Sequence, residues 1–146
     1  MYFHRINKKP VLKLLEKQFG IKEKLNYTLL KNNENKFFIV NNRAFEIDQK
    51  KLRINSLGLY FASLENNELR LSIEATQMLG KKADKNVLNL NEGQLKQYML
   101  GKNITVDNSN NSIVILKHKD DFIGCAKQKD FKVINFLPKE RRVQLS

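Results

Sequence analysis

The run Ile113-Val-Ile-Leu116 constrains the fold of this chain more than any other stretch. Successive side chains of a strand point to opposite faces, so an unbroken apolar run of this kind asks for cover on both sides. The interior of a closed small barrel provides that cover. Its surroundings read as the rest of such a barrel. Thr105 to Asn111 is polar and loop-like, and Lys117-His-Lys-Asp-Asp121 is a charged hairpin turn leading into Phe122-Ile-Gly-Cys-Ala126. Closing strands are predicted from Phe131 to Phe136 and from Arg141 to Leu145. Pro138 separates them, because it has no N–H to give to a ladder.

Just upstream, Val87-Leu-Asn-Leu90 reads as a short strand, and Asn91 with Gln94 has the spacing of a capping box. Leu95, Tyr98 and Met99 form the buried stripe of one short helix that Gly101 ends. The polar stretch Lys81-Lys-Ala-Asp-Lys-Asn86 is the best candidate for a boundary, dividing the chain into 1–82 and 83–146.

The first part opens with a helix. Pro10 suits its first turn, Val11, Leu14, Leu15 and Phe19 fall at helical spacing, and Gly20 is a candidate left-handed cap. The period then changes to short β-rich runs, Tyr27-Thr-Leu-Leu30, Phe37-Phe-Ile-Val40 and Ala44-Phe-Glu-Ile47. Asparagine pairs between them tolerate positive φ, so the pattern is a meander. Lys50-Lys-Leu-Arg53 is a basic cluster before the strand Leu57 to Leu64. Leu69, Leu71 and Ile73 then alternate as a half-buried strand, and Glu74 to Leu79 suits a helix ending at Gly80.

Charge is the most informative bulk property: 27 Lys+Arg against 15 Asp+Glu give +12 and a pI near 9.8. Such an excess favours a polyanionic partner, because neutralised phosphates release condensed counterions. A lysine-rich surface that only confers solubility is the alternative. Residues 1–82 carry 16 basic and 8 acidic side chains and residues 83–146 carry 11 and 7, so both parts are basic.

No constellation for catalysis, a cofactor or a metal stands out. His4 and His118 are far apart, and Cys125 is a lone cysteine among small residues, which suits a packed strand in a reducing compartment. Gly80-Lys81-Lys82 lacks the rest of a phosphate loop. The expectation is a cytoplasmic protein that is not an enzyme, needs no cofactor and has no membrane partner, since no apolar run approaches the roughly 18 residues of a span.

The helix ending at Gly101, the buried strand after it, Phe122-Ile-Gly124 and the closing Asn135-Phe-Leu-Pro-Lys-Glu-Arg-Arg142 resemble a PUA domain. The last is most similar to the PUA-like tail of rRNA cytosine-5 methyltransferases. Upstream, Phe37 to Ile47 and Leu57 to Leu79 resemble the pre-PUA domain of a small ribosome-biogenesis factor family shared by archaea and eukaryotes. The Lys-Glu-Arg-Arg ending departs from that family's usual ending. The resemblance implies an α+β chain, with a pre-PUA α/β domain carrying an antiparallel sheet over 1–82 and a PUA pseudo-β-barrel over 83–146.

It also implies RNA binding around the helix-terminal glycine and the last strand. Gly101 would let a phosphate or base edge come close, besides capping its helix. Lys102, Lys127, Lys129, Lys132, Lys139, Arg141 and Arg142 are the candidate contacts, the two arginines foremost because a guanidinium binds phosphate bidentately or stacks on a base. Pairing with Glu140 or Asp130 is the competing role for one of them. The function so implied is non-catalytic binding of rRNA in ribosome biogenesis or rRNA processing, with pre-ribosomal proteins as further partners. The alternatives are an adaptor presenting RNA to a separate modification enzyme (a methyltransferase or pseudouridine synthase), a tRNA-binding protein, and a pure protein-interaction module.

Overall fold

A computed structural model describes residues 3–41 and 58–143. The strand expected at Ala44 to Ile47, the basic cluster at Lys50 to Arg53 and the end of the last expected strand lie outside these residues. The chain is α+β.

Strand β1 (Phe3–Arg5) leads into helix α1 (Lys9–Phe19), with Pro10 in its first turn. Gly20 (φ 70) ends the helix, its N–H donating to Glu16 O at 2.8 Å. Strands β2 (Tyr27–Asn32), β3 (Lys36–Asn41), β4 (Gly58–Glu65) and β5 (Glu68–Leu71) follow, and the five form one antiparallel sheet in sequence order. The asparagine turn between β2 and β3 is where the sequence puts it, Asn66 and Asn67 make another between β4 and β5, and the Asn41-Asn42 pair is not wholly within the described residues. Asn35, Asn66 and Asn67 have φ of 60, 51 and 63, and the Asn32 side chain accepts from the N–H groups of Glu34 and Lys36. β1 carries no periodic signal of its own; pairing with β2, Phe3 opposite Asn32 and Arg5 opposite Leu30, creates it.

Helix α2 (Ile73–Leu79) follows β5, capped by the Ser72 hydroxyl accepting from Ala75 N–H. Ile73, expected to end the strand, starts this helix instead, because the Ser72 cap turns the chain first. A 3₁₀ turn (Gly80–Lys82) occupies the start of the polar connector. Strand β6 (Val87–Asn89) and helix α3 (Glu92–Met99) come next. β7 (Ile104–His118) and β8 (Asp121–Ile134) are long, and the second sheet has the order β6-β7-β8. β6 runs parallel to β7, as a strand–helix–strand crossover through α3 allows.

Three expectations fail here. Phe131 to Phe136 is no separate closing strand, because β8 runs unbroken from Asp121 to Ile134. Thr105 to Asn111 is strand rather than loop: ladder bonds are made by the backbone, and Ile104 and Val106 supply enough burial to anchor that end. Arg141 begins no strand. It lies in a 3₁₀ turn (Lys139–Arg141), because Val143 N–H bonds Met99 O and docks the tail on α3 instead of on a sheet.

The apolar run at 113–116 is covered on both faces, by two different cores. Ile113 and Ile115 pack with Val11, Leu15, Phe19, Leu69 and Leu71 of the first part, joined by Cys125. Val114 and Leu116 pack with Tyr98, Ala126, Val133 and Leu137. β7 is thus the wall between two apolar clusters. Glu68 reinforces the junction, accepting from Ile113 N–H at 3.1 Å and pairing with Lys127 at 3.3 Å. Gln18 adds two bonds to the main chain of Leu69, and Asn86 bonds Gln18 O.

Candidate nucleic-acid interface

The candidate surface begins at the end of α3. Its start is fixed by a capping box: Asn91 accepts from Gln94 N–H, and the Gln94 side chain accepts from Asn91 N–H. Its end is a Schellman arrangement. Lys102 N–H donates to Gln97 O at 3.0 Å and Gly101 N–H to Tyr98 O at 2.9 Å, with Gly101 at φ +85. Of the expected stripe, Tyr98 is buried at 2% exposure, whereas Leu95 and Met99 are half-buried.

The tail is folded back over this turn. A Cβ on Gly101 would lie 2.6 Å from both Cδ and Nε of Arg142. Arg142 Nε donates to Leu137 O at 3.0 Å, which holds the guanidinium across the glycine. The openness of Gly101 is therefore used by a protein side chain, the half-buried Arg142. Asn135 locks the rest: its Nδ2 donates to Tyr98 O and Lys102 O, both at 2.8 Å, its Oδ1 accepts from Leu137 N–H, and its own N–H bonds Asn103 Oδ1.

The candidate cations divide into two groups. Lys127 is paired with Glu68 at the junction of the two sheets. Arg141 is paired with Glu74 of α2, rather than with Glu140 or Asp130, and this guanidinium holds the Glu74 carboxyl below the usual carboxylate range. Among the described residues, Lys102, Lys129, Lys132, Lys139 and Arg142 have no carboxylate partner. Lys102 follows the glycine, and Lys132 lies opposite Thr105 in the ladder, three residues before Asn135. Lys139 O accepts from Arg142 N–H. Gly101, Lys102, Lys132, Lys139, Arg141 and Arg142 thus sit on segments bonded to one another. Lys129, opposite Asn111, lies farther along β8.

Three contributors escaped the sequence reading. Asn135 gives no local sign of its role. Glu74 lies 67 residues from Arg141, beyond any spacing rule. Phe131 is 54% exposed, between Lys129 and Lys132 in sequence and next to Asp130 with φ 55. A lone aromatic in a charged stretch of strand was a usable signal for that last one.

Burial pushes the Cys125 thiol up to about 11, and Thr76 Oγ1 lies 3.6 Å from its sulfur. Among the described residues no His, Cys, Asp and Glu side chains gather as a metal site would need, and no helix is long and apolar enough to cross a membrane.

Residues 85–143 match the family model described as the methyltransferase RsmF PUA domain. The match covers the whole of the helix-end surface and less than half of the chain. The C-terminal part is accordingly a PUA domain, an RNA-binding module. A search of curated proteins finds no match.

Proposed function

We propose that the protein is a non-catalytic RNA-binding protein that holds structured rRNA during ribosome biogenesis or rRNA processing. The observation that carries this reading is the set of cations without carboxylate partners, Lys102, Lys132, Lys139 and Arg142, carried on interlocked segments at the end of α3 within the PUA domain. Phosphate contacts fix the register of such a protein on RNA, and exposed Phe131 offers a face on which an unpaired base can stack. Residues 1–82 are basic as well, with 16 basic and 8 acidic side chains in the sequence.

The test is binding of the full chain to rRNA hairpins across a salt series. Affinity should fall steeply with salt, and Lys102→Ala with Arg142→Ala should weaken binding and flatten the slope by about one per lost phosphate contact. Tight binding indifferent to both salt and these changes refutes the proposal.

The matched domain being that of a methyltransferase favours one second reading, an adaptor that presents RNA to a separate modification enzyme. Recovery of a methyltransferase in pull-downs after RNase treatment supports it, and recovery of ribosomal precursors alone counts against it.

A further inference from the structure

A cavity of about 200 Å³ opens where the PUA domain meets the first part of the chain, between Tyr98, Phe136 and Arg141 on one side and Tyr60, Arg70 and Glu74 on the other. Drug-sized ligands occupy pockets upwards of about 300 Å³, so this one suits a single heterocycle. Part of its wall is π surface, beside the aliphatic Leu71, Ile73, Leu137 and Pro138. The Arg70 guanidinium lies over the Phe136 ring at 4.4 Å, and the Tyr60 ring is half-buried nearby. Both cations are already matched by carboxylates, Arg70 by Glu65 at 3.4 Å and Arg141 by Glu74, so a free anion gains little here.

Tyr98 supplies the polar feature. The residue is 2% exposed and lines the cavity, and its hydroxyl has no hydrogen-bond partner among the described residues. Ser63 Oγ and Gln128 Oε1 are the fully buried unpartnered side-chain atoms among the described residues; the Tyr98 hydroxyl is not one of them, so it is accessible and free to donate to a ligand. Burial pushes its pKa up to about 12, so it stays a donor at neutral pH. Glu74, kept ionised by Arg141, is an acceptor at the same cavity. Stacking faces together with a donor and an acceptor are what an unstacked base needs for its faces and its hydrogen-bonding edge.

We infer that this cavity receives one unpaired nucleobase of the bound RNA, stacked against the Arg70–Phe136 pair and Tyr60 and hydrogen-bonded by the Tyr98 hydroxyl. This rests on the RNA-binding reading and adds what is read: a base, where the α3 surface holds backbone. The two are neighbours, because Arg141 stands at the rim and Arg142 lies across Gly101. Leu137 lines the cavity and its carbonyl accepts from Arg142 Nε at 3.0 Å, so the Arg142 head group lies beside a cavity-lining residue.

The test uses the full chain with a hairpin RNA carrying an unpaired loop labelled with 4-thiouridine, and with the same RNA closed into continuous duplex. Tyr98→Phe, which keeps the ring, should weaken loop binding about tenfold. Phe136→Leu should weaken it about ten- to a hundredfold, as loss of base stacking does. Neither should change duplex binding or its salt slope, and loop crosslinks should map to peptides containing Tyr60, Tyr98 or Phe136. Equal binding of hairpin and duplex by wild type and both variants, or crosslinks confined to other peptides, overturns the inference while leaving RNA binding intact. Binding of neither RNA at low salt overturns the RNA-binding reading and this inference with it. The wild-type crosslink map decides the matter even for a variant that does not fold.

Discussion

Replacing Gly101 by alanine tests the link between helix end and tail in one residue. Two costs are expected. Gly101 has φ +85, where a Cβ clashes with the backbone, at about 1–2 kcal/mol. The new methyl would also sit 2.6 Å from Cδ and Nε of Arg142, so that side chain must leave and its bond to Leu137 O is lost. A hydrogen bond from a charged donor contributes about 1.5–3 kcal/mol, toward the low end for a half-buried arginine. Gly101→Ala should therefore cost about 2–4 kcal/mol, and Arg142→Ala about 1–2 kcal/mol by the same bond. In the double variant the bond is lost only once, so the sum of the single effects should exceed the double effect by about 1–2 kcal/mol. Urea unfolding of the four proteins, with unchanged slopes, measures this coupling. Strict additivity would show that Arg142 does not lie on Gly101 in solution and would refute the reasoning.

Asn135→Ala removes three bonds of 2.8 Å that tie Tyr98, Lys102 and Leu137 together, and should lower stability by about 2–4 kcal/mol in thermal or urea melts. The Glu74–Arg141 pair predicts a pH effect. Because Glu74 is held below its ordinary value of 4.5, its contribution is present above that pH and is lost as the pH falls through the lower folded value. Arg141→Ala should accordingly flatten the acid limb of stability below about pH 4.5, read from melting temperature against pH. Finally, Lys127→Met should leave the salt slope of RNA binding unchanged, because its charge is spent on Glu68, whereas Lys132→Ala should lower the slope by about one.

Much of the fold was legible where local chemistry and tertiary environment agree. The capping box at Asn91 and Gln94, the left-handed glycines at 20 and 101, and the asparagine turns are written in single residues whose backbone freedom or side-chain oxygen does the same thing in any context. The candidate surface was legible only in outline. The sequence put the basic residues of the tail on one strip, but charge says nothing about pairing. Lys127 and Arg141 met glutamates from the first part of the chain, while Arg142 settled on Gly101.

By itself, then, the sequence determined that 113–116 must be covered on both faces, that a helix ends at Gly101, and that the chain carries +12 of net charge. Only the tertiary structure decided what the cover is: Ile113 and Ile115 go to the core around α1, Val114 and Leu116 to the core around Tyr98. It likewise decided which cations among the described residues lack a carboxylate partner, and where a cavity forms between the two parts. The reason is physical. Periodicity and caps are set by neighbours within a few residues, whereas ion pairs, cavities and unpartnered hydroxyls are set by residues brought together from opposite ends of the chain.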